Sequence, residues 1–345
     1  MEWNYNDLMA WDDTVGPVPD VVVLNIRNNN LTELPSKIFK LVSLKTFYCH
    51  DNKLTELPKE IGSLVSLQTF YCQNNQLTEL CKEIGYLINL QIFYCSYNKL
   101  TELCTEIGSL ISLHIFDCSH NKLTELPKEI KSFVSLQIFN CSCNQLTELF
   151  KEIGSFVSLH TLYCGEIGIT ELPKEIGSLM SLREFWCHGN KLTKLPKEIK
   201  FLVSLQKFYC QCNQLTELPK EIGNLINLEE LYCNNNKIEI LPKEIGNLIN
   251  LKNFSCNSNK IKILPKEISN LINLKQFECY YNSIPNTQFT VHENNLQEAN
   301  EYIASNELIL TKAKKTFAVV KICEFISQKV IPKYFDTNGS ISLSI

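Results

Sequence analysis

The sequence predicts an α/β repeat solenoid: a parallel β-sheet of short strands on one face, backed by short helical or 3₁₀ segments on the other. Three observations predict it. Written in lines of 23 residues from Val21, the chain aligns with itself as far as Asn273, giving eleven complete units and a twelfth that breaks off near Ile284. The first half of each unit alternates apolar and variable residues, as a strand buried on one face does, and the second half spaces its apolar residues by three or four, as a short helical turn does. One such unit cannot bury its own apolar edge, so the units must stack into a continuous core.

Composition narrows the function classes. The 345 residues carry 33 Lys+Arg against 37 Asp+Glu, a net charge of −4 spread along the chain, which supplies no basic field for a phosphate backbone. Nucleic-acid binding is therefore disfavoured. No stretch reaches the ~18 uninterrupted apolar residues of a membrane span, and the acidic first twenty residues read neither as a signal peptide nor as an anchor. The expectation is a soluble protein of a reducing compartment, the cytoplasm, with its thiols unpaired.

Residues 1–20 read as an N-terminal cap in which Trp3, Leu8, Met9 and Trp11 cover the first repeat, with Pro17 and Pro19 leading in. Residues 21–284 are the repeat domain. Residues 67–89 show the unit, with Leu67, Phe70, Cys72, Asn75, Leu77, Leu80, Ile84 and Leu87 in its apolar and Asn slots. The run N-x-L-T-E-L-P-K-E-I-G-x-L-x-S-L, as from Asn52 to Leu67, resembles the leucine-rich repeat. More narrowly it is similar to the 23-residue class of Ras suppressor protein, Scribble-type scaffolds and plant Ras-group proteins. That resemblance implies an arc with the sheet on its concave face, and a non-catalytic scaffold whose partner is a protein such as a small GTPase or a signalling component. The near-identical, Asn/Lys/Ile-rich repeats also resemble leucine-rich repeat proteins of large DNA viruses of amoebae, which would make the partner a host protein.

The chain departs from that family on the strand, where F-x-C mostly replaces L-x-L, as at Phe47/Cys49, Phe70/Cys72 and Phe208/Cys210. The ring adds about the volume the thiol removes, so the pair reads as a packing swap. Leu162/Cys164 and Leu231/Cys233 lack the ring, and looser packing is expected there. Eleven cysteines share the slot, from Cys49 at steps of 23 residues to Cys279. On neighbouring parallel strands their side chains point the same way, so Cβ atoms stay farther apart than the ~3.8 Å of a disulfide. A straight row also offers no tetrahedral set of ligands. No metal and no cofactor is expected, and the thiols read as core. Cys81 and Cys104 stand in the slot usually held by Pro. Cys143 and Cys212, two positions after the row, are the first places to look for a reactive thiol, a tolerated substitution being the alternative.

A second row of asparagines, from Asn29 to Asn282, follows the strand and should satisfy backbone groups where the chain leaves the sheet. Repeat seven breaks it with Ile167, flanked by Gly165 and Gly168, so the backbone there must find other partners or the stack is locally irregular.

Function should lie in the variable strand residues, which face away from the core. The slot between Phe and Cys gives the candidate partner-binding residues: Tyr48, Tyr71, Tyr94, Asp117, Asn140, Tyr163, Trp186, Tyr209 and Tyr232. They predict two exposed aromatic strips, Tyr48 to Tyr94 and Tyr163 to Tyr232, separated by the polar pair. Tyr and Trp anchor protein interfaces; the alternative is that duplication copied a β-favouring Tyr with no partner selected. The Lys-Glu pairs after each Pro, such as Lys59/Glu60, read as a solvated surface.

Residues 285–345 lose the period and show helical patterns at 294–305 and 316–330. A cap is the first reading and a partner-docking helix the second, the latter making the protein an adaptor that recruits clients to an enzyme complex. No enzyme is expected: no G-x-x-x-x-G-K-[ST], H-E-x-x-H or G-x-S-x-G motif occurs, and Cys323 sits on a predicted apolar helix too near the end to head a catalytic domain.

Overall fold

A computed structural model describes residues 1–284, in two compact units, Met1–Leu192 and the described part of Thr193–Ile345. The helices expected in residues 285–345, with Cys323, lie outside the described residues.

The first unit is a nine-stranded parallel sheet: β1 (Glu2–Asn4), β2 (Val23–Asn25), β3 (Thr46–Tyr48), β4 (Thr69–Tyr71), β5 (Ile92–Tyr94), β6 (Ile115–Asp117), β7 (Ile138–Asn140), β8 (Thr161–Tyr163) and β9 (Glu184–Trp186). From β2 onward each residue pairs with the one 23 positions later, so Phe70 faces Phe93 and Tyr71 faces Tyr94. The second unit holds four strands in the same register, β10 (Lys207–Tyr209), β11 (Glu230–Tyr232), β12 (Asn253–Ser255) and β13 (Gln276–Glu278). Each repeat then turns through a five-residue 3₁₀ segment, as at Lys82–Tyr86, closed by its last leucine N–H on the carbonyl of Ile84. The glycine of that segment is a matter of clearance, because a Cβ on Gly85 would lie 2.7 Å from the Glu106 carbonyl of the next turn. Both architecture and segment type match the sequence reading.

At the front the chain does more than lie over the first repeat. β1 adds a strand, pairing Trp3 with Leu24, and a helix, α1 (Tyr5–Ala10), follows it under a capping box in which Asn4 Oδ1 accepts from the Asp7 N–H at 3.1 Å and Asp7 returns the bond to Asn4. Leu8 is fully buried and Trp3 packs edge-on to Trp11 at 5.6 Å. Met9, expected to help cover the repeat, is exposed. Adjacent helical residues point about 100° apart, so only one of Leu8 and Met9 can face the core. The Lys37 ammonium closes the far end of the helix on the carbonyls of Leu8 and Trp11, at 3.0 and 2.7 Å.

Beside the buried leucine and isoleucine rows, three columns of the interior set this chain apart. Phe47, Phe70, Phe93, Phe116 and Phe139 stack ring on ring with centroids 5.5 to 5.8 Å apart. Leu162 ends that column, and in the repeat before it Phe150 and Phe156 lie edge-on against Phe139, at 6.4 and 5.7 Å. Those two phenylalanines stand in the Pro and Leu slots of the turn.

Beside the rings runs the cysteine column, buried throughout. None of the described cysteines forms a disulfide. Several thiols find a carbonyl one repeat on, as Cys72 does at Tyr94, 3.4 Å away. Burial pushes the Cys141 and Cys233 thiols up to about 12 and raises Cys49, Cys72, Cys95, Cys118, Cys164, Cys210 and Cys256 as well.

The third column is the asparagines. Asn98 is typical: its Nδ2 donates to the carbonyls of Cys95 in its own repeat and Cys72 in the one before, both at 3.1 Å, and its Oδ1 accepts the Leu77 N–H at 2.9 Å. With the Ser96 carbonyl at 3.2 Å, one buried amide thus serves four backbone groups across two repeats. At Ile167 the pattern fails as its sequence implies, and both expected consequences occur together. Asn190 Oδ1 accepts from the N–H groups of Ile167 and Gly168, at 3.1 and 2.9 Å, while Gly168 turns left-handed at φ +88°, outside the corner slot that does so in every repeat. A recess of about 730 Å³, lined among others by Leu146, Ile167, Gly168 and Lys191, opens at the break.

Two measurements test these columns. Asn98→Leu strands at least one buried backbone group and should cost about 2–4 kcal/mol, read as a lowered urea midpoint; an unchanged midpoint would show that the amide is dispensable. The raised thiols also set an alkaline limit. A group held protonated in the fold contributes stability that is intact below its unfolded pKa, ~8.5 for Cys, and is lost as pH rises toward the folded value. With nine such thiols identified, the loss by pH 9.5 is on the order of 10 kcal/mol. Urea midpoints should be flat from pH 6 to 7, begin to fall by pH 8 and collapse near pH 9.5, and a curve level from pH 6 to 9.5 would contradict the burial of the row.

Candidate functional site

Each strand from β2 to β11 buries its central residue and shows its two outer ones, as in β4 and β5. The open face therefore carries rows at fixed slots, and the predicted site residues fall in one of them. In the first unit Tyr48, Tyr71, Tyr94, Asp117, Asn140, Tyr163 and Trp186 follow one another in strict register. In the second, Tyr209 pairs with Tyr232.

The strips are less exposed than their position alone implies. Tyr48 stacks on Tyr71, and Tyr71 on Tyr94, with centroids 4.9 Å apart in both cases, and all three are half-buried. Strand spacing forces this, since rings set ~4.8 Å apart can only lie face to face. What reaches solvent is a row of ring edges and hydroxyls. Burial, and after it the neighbouring Tyr48 phenol, raises the pKa of Tyr71, and burial followed by Tyr71 does the same for Tyr94. These hydroxyls stay neutral and can both donate and accept. Tyr163 and Trp186 sit closer to a tilt, with centroids 5.6 Å apart, and the Trp186 indole N–H donates to Glu184 at 3.4 Å. Tyr209 and Tyr232 stack at 4.9 Å, and the Tyr209 hydroxyl donates to Glu230.

The polar pair between the strips is partly turned inward on its own chain. Asp117 Oδ1 accepts the Ser119 N–H at 2.9 Å, and Asn140 Oδ1 accepts the Ser142 N–H at 3.1 Å. Both side chains thus hold the strand end, which the sequence reading did not assign to them.

A further row was missed. The residue after each ladder cysteine lies on the same face as the tyrosines, two positions on, and it brings His50 edge-on to Tyr48 and Tyr71, at 6.1 and 6.2 Å, and His188 to Trp186 at 6.2 Å. Extending the strand alternation by one more step would have found it. His50 also meets Asp51 at 2.7 Å, in a polar recess of about 560 Å³ lined by Arg27, Asn28, His50, Asp51, Asn52 and Asn74. The Asn74 amide, and then His50, hold the Asp51 carboxyl below the usual range.

The slot of Cys143 and Cys212 is a left-handed corner repeated along both units, with φ between 50° and 56° at every non-glycine residue that fills it, from Asn28 to Tyr281. That explains its wealth of Asn and Asp and the glycine at Gly189. The two thiols differ there. Cys212 is exposed, whereas Cys143 is half-buried and points its thiol at Glu166 Oε2, 3.8 Å away; burial and then that carboxylate raise it. Among the described residues no group of three or more His, Cys, Asp or Glu is placed to hold a metal ion, and no helix is long and apolar enough to cross a membrane.

Comparisons with known proteins place this architecture. A model of the leucine-rich repeat region matches residues 187–300 and a leucine rich repeat model matches residues 19–77. A leucine-rich repeat protein of Leptospira interrogans is 35% identical over 85% of this chain and 83% of its own, with a TM-score of 0.57. The chain is a leucine-rich repeat protein. The plant peptide hormone receptor RGFR1, solved in complex with RGF2, is 31% identical over 76% of this chain and 44% of the receptor chain, TM-score 0.68. A functional domain of InlJ from Listeria monocytogenes, described as including a cysteine ladder, is 25% identical over 74% of this chain and 58% of that one, TM-score 0.62. No curated protein sequence matches. The ladder of buried thiols in this leucine-rich repeat protein thus resembles a feature described in a structural neighbour.

Peptide mapping after brief iodoacetamide treatment at pH 7.5 should find Cys212 alkylated first among residues 1–284, Cys143 slowly and the ladder not at all. Ladder thiols modified as fast as Cys212 would mean that the sulfur atoms are open to solvent.

Proposed function

We propose that this leucine-rich repeat protein is a non-catalytic scaffold that binds a protein partner on the open, concave face of its sheet, with Tyr48, Tyr71, Tyr94 and His50 as the anchoring group. The observation that carries the reading is the stack itself. Three phenol rings, held face to face at 4.9 Å, have already given up their rotamer freedom, so a partner gains their area and hydroxyls at little entropic cost. The plant receptor neighbour is described in complex with a peptide hormone, which supports protein or peptide recognition by this type of fold. The 23-residue repeat resembles the Ras-suppressor and Scribble class, and a small GTPase or another signalling protein is the partner that this likeness suggests. A reducing cytoplasm, where a row of thiols stays reduced, is the compartment that suits it.

The test is affinity capture from lysate with the full chain and with Tyr71→Ala/Tyr94→Ala, folding being checked by circular dichroism. Loss of two central aromatic anchors should weaken the main partner by roughly 10- to 100-fold or more. A partner retained by this variant but lost on removing residues 285–345 would move the binding to the tail and favour the adaptor reading instead.

A further inference from the structure

Between each 3₁₀ segment and the next strand, two buried leucine-type residues bracket one that turns outward. In the first unit that outward slot holds Val42, which has Lys40 beside it, and then six more, Val65, Ile88, Ile111, Val134, Val157 and Met180, those six between 48% and 61% exposed. Apolar residues this open, six repeats in succession, are not required by the core, since the core is already filled by their neighbours Leu64, Leu87 and Leu110, which are fully buried. The surroundings are as selective as the slot. The five-residue windows centred on these six positions contain no charged residue in thirty, although the chain as a whole is 20% charged. Ser, Asn and one Tyr border the ridge instead, as in S-L-V-S-L and Y-L-I-N-L. Depletion of charge around exposed apolar residues is the composition of an interface centre. The ridge is also tied down: Asn89 Nδ2 donates to the Val65 carbonyl at 2.9 Å, fixing one repeat to the next along the line.

We propose that this ridge is a self-association surface, on which a second copy of the chain packs antiparallel about a two-fold axis. A partner must match a row of mostly β-branched side chains at one regular step per repeat, and an identical ridge does so by construction, each side chain entering the gap between two on the other copy. The area suffices. Burying roughly 80 Å² at each of six or seven positions removes on the order of 500 Å² per copy, about 1,000 Å² in all, the lower bound of a specific interface, before the bordering Tyr86 and Ser residues are counted. With a net charge of −4 per chain and none within the band, two copies meet little repulsion.

Sedimentation velocity of the full chain under reducing conditions, from 1 to 100 µM, reads the proposal. The wild type should pass from monomer to dimer across that range. Ile88→Lys/Ile111→Lys/Val134→Lys should stay monomeric at 100 µM with an unchanged circular dichroism spectrum, and the milder Ile88→Ser/Ile111→Ser/Val134→Ser should shift the midpoint upward at least tenfold. A wild type monomeric at 100 µM, or a lysine variant that still dimerises, overturns the assignment. Should the lysine variant lose its fold, the serine variant decides: an unshifted midpoint counts against the ridge.

Discussion

The structure rests on one hydrogen-bonding device, the asparagine amide at the end of each strand. A strand of three residues is too short to hold its neighbours by ladder bonds alone, and the chain leaves the sheet at once, which would strand carbonyls and N–H groups in the interior. Asn98 answers this with bonds to Cys95, Cys72 and Leu77, and Asn121 and Asn144 repeat the same set one and two steps on. Because each amide reaches back into the previous repeat, it also fixes the 23-residue register on which every other column depends. Where Ile167 replaces it, the backbone turns left-handed at Gly168 and a recess appears.

Register makes the other columns inevitable. Once strands lie in step, whatever the strand slot contains is stacked upon itself: phenylalanine on phenylalanine and thiol beside thiol within the core, tyrosine on tyrosine outside it. The interior rows differ in chemical consequence. Rings gain contact area from stacking, while thiols are removed from water and forced to remain protonated. The packing swap between Phe and Cys therefore ties the stability of the fold to the thiol form of its cysteines.

On the surface the same repetition converts single residues into surfaces. A lone half-exposed tyrosine or valine on a soluble protein means nothing; a row in register is a continuous strip with fixed geometry. Two such rows exist, the stacked tyrosines on the open sheet face and the uncharged apolar ridge beyond the 3₁₀ turn. They differ in kind: the first offers hydroxyls and ring edges suited to a polar partner, the second only shape and apolar area.

Most of the fold was legible in the sequence because a repeat declares its period, and period-two alternation and three-to-four spacing are local properties. The buried cysteines, the asparagine row, its failure at Ile167 and the slot of the tyrosines all followed from counting in steps of 23. Other features needed the third dimension. The stacking that half-buries Tyr48, Tyr71 and Tyr94 depends on the distance between strands, and the edge-on packing of Phe150 and Phe156 on Phe139 depends on contacts between different slots. The added strand Glu2–Asn4 lies outside the period altogether. The sequence by itself determined which residues occupy equivalent places, since equivalence is a matter of spacing along the chain. Only the tertiary structure decided how far each row is exposed and what it touches, because exposure is set by neighbours that lie one repeat away in space and 23 residues away in sequence.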